Sequence, residues 1–279
     1  MNSNRAVVHS AKWLSNAAIA VLSVASVFPI LWIMYSSLKT HQAFSMNIMS
    51  LPTKPEFQNY VAAFWEGELY RYLWNSAIVS SVSVVLVIVI GFVTGYFLSR
   101  FTFPGRNALY TMFLFGMLVP VYGLLVPIFI EFRNLNMLDH RFSVVLPQVA
   151  FALPLVIFLI ESFIKSIPSE IEEAAFVDGA NINTTLVRIV LPMCGPVLST
   201  CTIVSFLNVW NEFPFALILI NTQDLKTIPL GLTNFVGQYT VNYPQLMAGI
   251  SVSILPVIAV YLALYKRIIQ GMVSGAVKG

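Results

Sequence analysis

The chain has 279 residues, of which 58% are hydrophobic and only 10% are charged. A soluble domain is about half apolar and about a quarter charged. The 15 Lys and Arg and 12 Asp and Glu residues here cannot cover a water-soluble globule of this size. With a mean hydropathy of +0.81 and a net charge of +3, the composition predicts an integral membrane protein. It argues against a secreted enzyme, a nucleic-acid-binding domain and a disordered scaffold.

The predicted elements are six apolar segments, each near the length of about 20 residues that a membrane-spanning helix needs. They cover residues 13–38, 72–99, 107–130, 142–160, 189–211 and 246–265, and the fifth can extend past Glu212. None shows the strict alternation of a barrel strand. The first is too long for the apolar core of a signal peptide and is interpreted as a retained span. We therefore expect an all-α polytopic membrane protein with six transmembrane helices.

The distribution of Lys and Arg favours a topology with both termini in the cytoplasm. More of these residues lie in the segments that this topology places inside than in those that it places outside. Residues 1–12 then form a cytoplasmic N-terminus and residues 13–266 the six-helix transmembrane domain. Residues 267–279 form a cytoplasmic C-terminal tail.

The third predicted span carries Pro120, Gly123 and Pro127 within eight residues. Each proline removes a backbone donor and clashes with the preceding turn, so this helix must bend or break. Such breaks are tolerated where protein or water satisfies the freed backbone groups. An ordinary kink and a role in gating a pathway are both open, and Pro120 and Gly123 are candidate pathway residues.

Two acidic residues lie within or at the end of predicted spans. Glu161 lies one turn before Lys165, and this spacing is typical of a stabilising ion pair. Glu212 follows Trp210 and Asn211 in an apolar segment, where an acidic residue at mid-bilayer costs about 2.5–3.5 kcal/mol. Glu212 should therefore face protein or a wet cavity. It either lines a pathway, with Asn211, or ties two helices together.

The sequence lacks the patterns of an enzyme. No Lys follows a Gly, so there is no phosphate-binding P-loop. His9, His41 and His140 are far apart and form no metal-ligand pair, so no metal site is predicted. We expect no catalytic residues in this chain.

The loop between the fourth and fifth spans, about residues 166–192, carries regular start and stop signals. Ser169 and Glu172 have the spacing of a capping box, which predicts a short helix beginning just after Ser169. Gly179 is placed to end that helix, and Asn183 to cap a second one. The loop is therefore expected to fold as two helices on the inner face, with acidic residues beside a patch of small alanines.

This loop resembles the EAA motif of the membrane subunits of ABC importers, with the common Asp178-Gly179-Ala180 variant. The motif comprises Glu173-Ala174-Ala175, Gly179 after three intervening residues, and Ile189-x-Leu191-Pro192 after nine more. Other features are similar to the carbohydrate branch, the maltose-type second permease, over nearly the whole chain. These are Asn59-Tyr60, Trp74-Asn75-Ser76, Phe103-Pro104-Gly105, Trp210-Asn211-Glu212-Phe213, Gln270-Gly271 and Gly275-Ala276-Val277-Lys278-Gly279.

The resemblance implies a permease subunit that couples ATP hydrolysis by a separate subunit to the import of a sugar or oligosaccharide. Its implied partners are a second, different permease, two cytoplasmic ATPases and an extracytoplasmic sugar-binding protein. The ATPases would bind ATP and Mg²⁺, and this chain would hold no cofactor. The implied location is the cytoplasmic membrane of a bacterium or archaeon, with multiple passes through the bilayer.

The resemblance also implies roles for particular residues. Glu173, Ala174, Ala175, Asp178 and Gly179 would form a coupling helix seated in a cleft of one ATPase. The two alanines leave room for that cleft, and the glutamate offers it a charge.

The outer loop 221–244 would face the binding protein, with Gln238 and Tyr239 as candidate contacts, and the C-terminal tail would reach between the ATPases.

Two alternatives to an importer permease stay open. One is a secondary transporter or channel that is not driven by ATP. The other is a membrane-embedded transferase, for which no phosphate-handling residues are found.

Overall fold

The computed structural model describes residues 2–237 and 241–276. In these residues the regular structure is helical, apart from one isolated antiparallel bridge between Val236 and Val241. The α-helices are α1 (Asn2–Ser36), α2 (His41–Met46), α3 (Gln58–Val61), α4 (Leu69–Arg100), α5 (Arg106–Gly116), α6 (Leu125–Asn134), α7 (Arg141–Lys165), α8 (Glu170–Val177), α9 (Ile182–Thr185), α10 (Leu191–Met193), α11 (Gly195–Trp210), α12 (Pro214–Leu219), α13 (Ile228–Leu232) and α14 (Tyr243–Ala276). Short π segments are Ala62–Glu66 and Leu186–Val190, and short 3₁₀ segments are Val121–Leu124, Gln223–Leu225 and Thr233–Phe235.

Four helices in the described part of the chain are each long and apolar enough to cross a membrane. They include Ser15–Ser36, Leu69–Arg100, Arg141–Lys165 and Tyr243–Tyr265. Two further pairs of helices are bent, by 91° and 74°, and bring the number of spans to as many as six if each pair crosses once. The prediction of an all-helical polytopic membrane protein is confirmed at this level. The third and fifth predicted spans are not straight helices.

The third predicted span, 107–130, breaks where its prolines required a bend. Helix α5 ends at Gly116, and the chain becomes helical again at Val121. Pro120 lies in the gap and has an extended backbone. A proline disfavours helical geometry at the residue before it, so α5 cannot continue through Val119. Pro127 lies in the first turn of α6, where a missing N–H is tolerated.

The fifth predicted span, 189–211, does not extend past Glu212 as a helix. Helix α11 ends at Trp210, and a new short helix begins at Pro214, a residue preorganised for the first helical position. The chain also bends by 74° around Cys194, between α10 and α11. Two backbone breaks therefore flank α11. The predicted tail likewise begins within a helix, because α14 continues to Ala276.

The chain divides into two compact units: Met1–Leu69 with Leu232–Leu255, and Tyr70–Gly231 with Pro256–Gly279. In the first unit a buried lysine organises the loop after α1. The Lys39 ammonium donates to the carbonyls of Asn47 and Ile48, at 3.1 and 2.7 Å. The Asn59 amide donates to the carbonyls of Ser37 and Lys39, both at 2.8 Å. Asn59 thus satisfies backbone acceptors that the end of α1 leaves open.

In the second unit, α4 and α7 pack closely through two glycines. A Cβ at Gly91 would lie 2.6 Å from the Val156 side chain, and one at Gly95 would lie 2.9 Å from Ile160. Glycines four residues apart form the small-residue stripe that lets membrane helices approach. This contact brings the end of α4 beside the end of α7, where the loop that holds α8 begins.

Candidate functional site

Helix α8 ends as the sequence predicts. Gly179 has φ +88°, a left-handed conformation that glycine adopts without strain. The N–H of Ala180 donates to the carbonyl of Ala175 at 2.9 Å, and the N–H of Gly179 donates to that of Phe176 at 3.0 Å. These two bonds form a Schellman motif, which satisfies the last carbonyls of the helix.

Helix α8 starts where the sequence predicts, but the predicted capping interaction is absent. The helix begins at Glu170, but Ser169 has helical backbone angles and its side chain makes no cap hydrogen bond. The predicted capping box between Ser169 and Glu172 is therefore wrong. The Glu172 carboxylate instead accepts from the Tyr96 hydroxyl at 2.8 Å and from Arg100 Nε at 2.6 Å. Because Glu172 is only 5% exposed, its carboxylate pairs with a charged group in the interior and does not accept from a backbone N–H at the start of the helix.

Arg100 also fastens the turn before α8. Its second guanidinium nitrogen donates to the carbonyl of Ile167 at 2.8 Å. Arg100 is the last residue of α4, so the loop that holds α8 is joined to the end of that helix by the ion pair with Glu172, by the hydrogen bond to Ile167 and by the hydrogen bond from Tyr96. Sequence reasoning missed this connection, because Arg100 and Glu172 are 72 residues apart and no local spacing links them.

The second helix of the loop, α9, is capped by Asn181 and not by Asn183. The Asn181 side chain accepts from the N–H of Thr184 at 2.9 Å, and its backbone is extended. Asn181 is the residue that precedes the first helical position, as a cap must be. The expectation of a second helix in the loop holds, with the start two residues earlier than predicted.

The two alanines of the EAA motif point in different directions. Ala175 is buried at 8% exposure within this chain, whereas Ala174 is exposed. The expectation that both leave room for a partner is therefore corrected, since only Ala174 lies on the free surface. The exposed positions of this surface are Glu173, Ala174, Phe176, Val177 and Asp178. Val177 is 88% exposed, so the surface combines acidic and apolar groups.

Glu161 lies near the C-terminal end of α7 and makes the predicted ion pair. Its carboxylate is 2.5 Å from Lys165 Nζ and 3.6 Å from Arg106 at the start of α5. Arg106 also donates to the carbonyl of Leu98 at 2.7 Å. Since the Glu161 side chain is 2% exposed, these two cations offset the burial of its charge.

A cavity of about 490 Å³ lies beside the backbone breaks at residues 117–120 and 211–213. Asn211 and Glu212 line it, and Pro120 and Gly123 flank the lining residues Val121 and Tyr122. The remaining lining residues are Gln148, Phe151, Ala152, Leu207, Asn208, Pro214 and Phe215. The structure therefore brings all four candidate pathway residues to one place in the second unit.

Glu212 anchors a helix at the wall of this cavity. Its two carboxylate oxygens accept from the N–H groups of Phe215 and Ala216, at 2.5 and 3.1 Å. A negative charge at a helix start is stabilised by the unpaired N–H groups there. Glu212 is 8% exposed, so it both borders the cavity and holds α12 in place.

We expect Glu212→Gln to lower the melting temperature of the purified protein. The amide has one oxygen, so one of the two N–H groups that Glu212 binds loses its acceptor, at about 1–3 kcal/mol. Glu131→Gln is the matched control, because Glu131 is exposed on α6. Equal melting temperatures for both variants and the wild type would contradict the anchoring role.

On the other side of the second unit, the start of α4 holds the loop before α13. The Asn75 amide donates to the carbonyls of Asp224 and Lys226, at 2.7 and 3.0 Å. The neighbouring Ser76 hydroxyl accepts from the N–H of Ile228 at 2.8 Å. These contacts fix the first part of the predicted outer loop. The predicted contacts Gln238 and Tyr239 lie outside the described residues.

Asp139 holds the beginning of the same loop. Its carboxylate accepts from the N–H groups of Asn221 and Thr222, at 2.9 and 2.8 Å, and from the Thr222 hydroxyl. Partial burial by itself raises the pKa of Asp139, but the hydrogen bonds from Thr222 and Asn221 outweigh it and the pKa lies below the usual value. Hydrogen bonds to the charged form have this effect.

The low pKa of Asp139 predicts a pH-dependent stability. Because the native-state pKa lies below that of the unfolded chain, the carboxylate stabilises the fold above the unfolded-state pKa. This contribution is lost as the pH falls through the native-state pKa. Asp139→Asn should therefore melt below the wild type at neutral pH, with the gap closing in acid, whereas the exposed Asp178→Asn should show no gap. A gap for Asp139→Asn that does not change with pH would contradict this account.

The exposed apolar helices are those of a polytopic helical membrane protein, and two broken spans beside a cavity that holds amide and carboxylate groups are typical of transporters. Residues 87–274 match the family described as binding-protein-dependent transport system inner membrane component. The chain belongs to this family. The predicted membership among ABC-importer permeases, with carbohydrate permeases as relatives, is confirmed, and the family favours an importer over a channel or secondary transporter.

Relatives cover nearly the whole chain. The diacetylchitobiose uptake system permease protein NgcG of Streptomyces coelicolor is 35% identical over 263 residues, which are 94% of this chain and 87% of that one. The trehalose transport system permease protein SugB of Mycobacterium tuberculosis is 32% identical over 257 residues, 91% of this chain and 93% of that one. A solved bacterial ABC transporter that imports the acidic polysaccharide alginate has the same fold, with a TM-score of 0.80, 24% identity, and 91% and 94% coverage.

Proposed function

We propose that this chain is the permease subunit of a binding-protein-dependent ABC importer for a sugar or oligosaccharide, and that α8 is its coupling helix. Membership in the family and the sugar-transport relatives support the first part. The observation that carries the second is the exposed surface of α8, where Glu173 and Ala174 lie beside the apolar Phe176 and Val177. An apolar patch rimmed by charge on a membrane protein's aqueous face suits a docking partner.

The buried side of α8 explains how movement of a docked ATPase reaches the membrane. An ATPase that closes on ATP and Mg²⁺ moves its cleft as a rigid body, and a helix seated in the cleft moves with it. Glu172 joins α8 to Arg100 and Tyr96, so displacement of α8 pulls directly on α4. This chain is then a lever, and hydrolysis takes place in the partner.

The partners and topology follow from this function. A second, different permease completes the pathway, two ATPases bind the inner face, and a sugar-binding protein docks outside on the loop 221–244. The four long helices and two bent pairs make six spans in the cytoplasmic membrane, with both termini and α8 on the cytoplasmic side.

Cysteine labelling tests this topology. Cysteines introduced at Asn136 and Asn221 should react with a membrane-impermeant thiol reagent in intact cells, whereas one at Asn107 should react only after the cells are opened. The native Cys194 and Cys201 are buried and give little background. Reversed labelling would contradict the proposed orientation.

Reconstitution tests the function itself. The complex purified through this subunit should contain the ATPase, and its ATP hydrolysis should rise when sugar-loaded binding protein is added to proteoliposomes. Sugar should accumulate only when ATP is supplied on the ATPase side. Uptake that is independent of ATP would favour a secondary transporter instead.

A further inference from the structure

The cavity between the two backbone breaks is lined by groups that suit a sugar ring. Three side-chain amides, those of Gln148, Asn208 and Asn211, lie with the aromatic rings of Tyr122 and Phe151. An amide offers both donors and an acceptor, which is what a sugar hydroxyl needs. The volume of about 490 Å³ falls within the range of about 300–1,000 Å³ for small-molecule sites.

These amides are available to a ligand. In the described part of the chain, neither Gln148 nor Asn208 makes a side-chain hydrogen bond, and Asn211 uses only its NH₂ group, toward the carbonyl of Leu207. The Glu212 carboxylate, by contrast, is occupied by the start of α12. The free polar groups at the cavity are therefore uncharged.

The position of the cavity suits a transport route. The breaks at residues 117–120 and 211–213 both border it. Irregular backbone at membrane depth is tolerated where it is buried in protein or lines a water-filled cavity. In transporters, broken helices mark substrate sites for this reason.

We propose that this cavity is a binding subsite for a neutral sugar ring on its way through the membrane. Gln148 and Asn208 exchange hydrogen bonds with ring hydroxyls, and Tyr122 and Phe151 cover its C–H faces. Neither Lys nor Arg is among the lining residues, so no cation at the cavity would pair with an acidic saccharide. This inference rests on the proposed function of the chain as a sugar permease subunit.

The first experiment measures transport and hydrolysis together in proteoliposomes that contain the whole complex. Gln148→Ala and Asn208→Ala together should reduce the sugar taken up per ATP hydrolysed by about tenfold, as expected for two lost hydrogen bonds. Hydrolysis stimulated by the binding protein should stay unchanged, because α8 and the outer loop are intact. Asn134→Ala, an exposed Asn outside the cavity, should match the wild type.

The second experiment measures binding directly. In the complex, the cysteine of Asn208→Cys should react more slowly with a thiol reagent when trehalose or diacetylchitobiose is present, but not when an alginate disaccharide is present. Lack of protection by neutral saccharides, or a wild-type uptake ratio in the double alanine variant, overturns the subsite. Loss of the second permease from that variant also overturns it, since the cavity is then a subunit contact. A wild-type complex that imports no saccharide instead refutes the proposed function.

Discussion

Arg100→Ala is expected to abolish transport while the ATPase remains bound. The Arg100–Glu172 pair is buried, with side-chain exposures of 14% and 6%. Removing one partner of a buried ion pair costs about 3–5 kcal/mol, because the other charge is left without compensation. The Glu172 carboxylate would keep only the Tyr96 hydroxyl, and the carbonyl of Ile167 would lose its donor. Helix α8 would then be detached from α4 but still exposed to the ATPase.

The measurement compares ATP hydrolysis with sugar uptake in the reconstituted complex. We expect Arg100→Ala to lower the melting temperature and the ratio of uptake to hydrolysis, while the ATPase:permease ratio stays at the wild-type value. Arg188→Ala is the control for removal of a cation, because Arg188 is exposed in the same loop. An unchanged ratio of uptake to hydrolysis in Arg100→Ala would show that movement reaches the spans by another route.

The adjacent glutamates offer a sharper comparison. Glu172→Ala removes the internal ion pair, whereas Glu173→Ala removes an exposed charge one residue away. The first should uncouple hydrolysis from uptake at normal ATPase retention, and the second should weaken ATPase retention. Identical behaviour of the two variants would contradict the division of α8 into an inner and an outer side.

The sequence was sufficient where structure is decided by near neighbours. The end of α8 at Gly179 follows from residues within one turn, as does the pair between Glu161 and Lys165. The sequence was insufficient to predict the partner of a polar side chain that can bind either a neighbouring backbone group or a residue distant in the chain. Glu172 has the spacing of a capping residue, but Arg100 is a stronger partner than a backbone N–H.

Several residues that carry the family resemblance prove to be backbone clamps. Asn59 holds the loop after α1, Asn75 holds the loop before α13, and Glu212 holds the start of α12. Each satisfies backbone groups that belong to a different segment or to a helix start. Their roles were not predictable from the sequence, because a side chain that serves as a clamp is recognised only when both segments are placed.

The candidate pathway residues were likewise predictable only in their local environments, and their meeting at one cavity was not. Pro120 predicted a bend and Glu212 predicted a protected environment, and both expectations hold. Nothing in their spacing of more than 90 residues indicated that the two places adjoin. The position of Gln148 and Asn208 at the cavity was not predictable from the sequence, because an isolated amide in an apolar span forms no recognisable local pattern.

The second large effect is expected at the two alanines of the EAA motif. Substitution by Trp should lower stability at Ala175 and should weaken ATPase binding at Ala174. Ala175 is buried, so Ala175→Trp overpacks the interior and should lower the free energy of unfolding by about 1–3 kcal/mol or more. Ala174 is exposed, so Ala174→Trp should change stability by less than about 0.5 kcal/mol. Its indole would instead hold the ATPase away from α8.

The expected outcome is a complex with Ala174→Trp that melts like the wild type but retains little ATPase. Gly179→Asp provides an intermediate case, because no atom lies within 4 Å of an added Cβ and only the backbone at φ +88° opposes it. That conformation costs about 1–2 kcal/mol for a residue other than glycine, so the end of α8 should loosen without a clash. The ATPase:permease ratio and the melting temperature of each purified complex decide the matter. If Ala174→Trp retains the ATPase and supports normal uptake, the exposed side of α8 does not dock an ATPase, and the coupling role is refuted whatever Ala175→Trp does to stability.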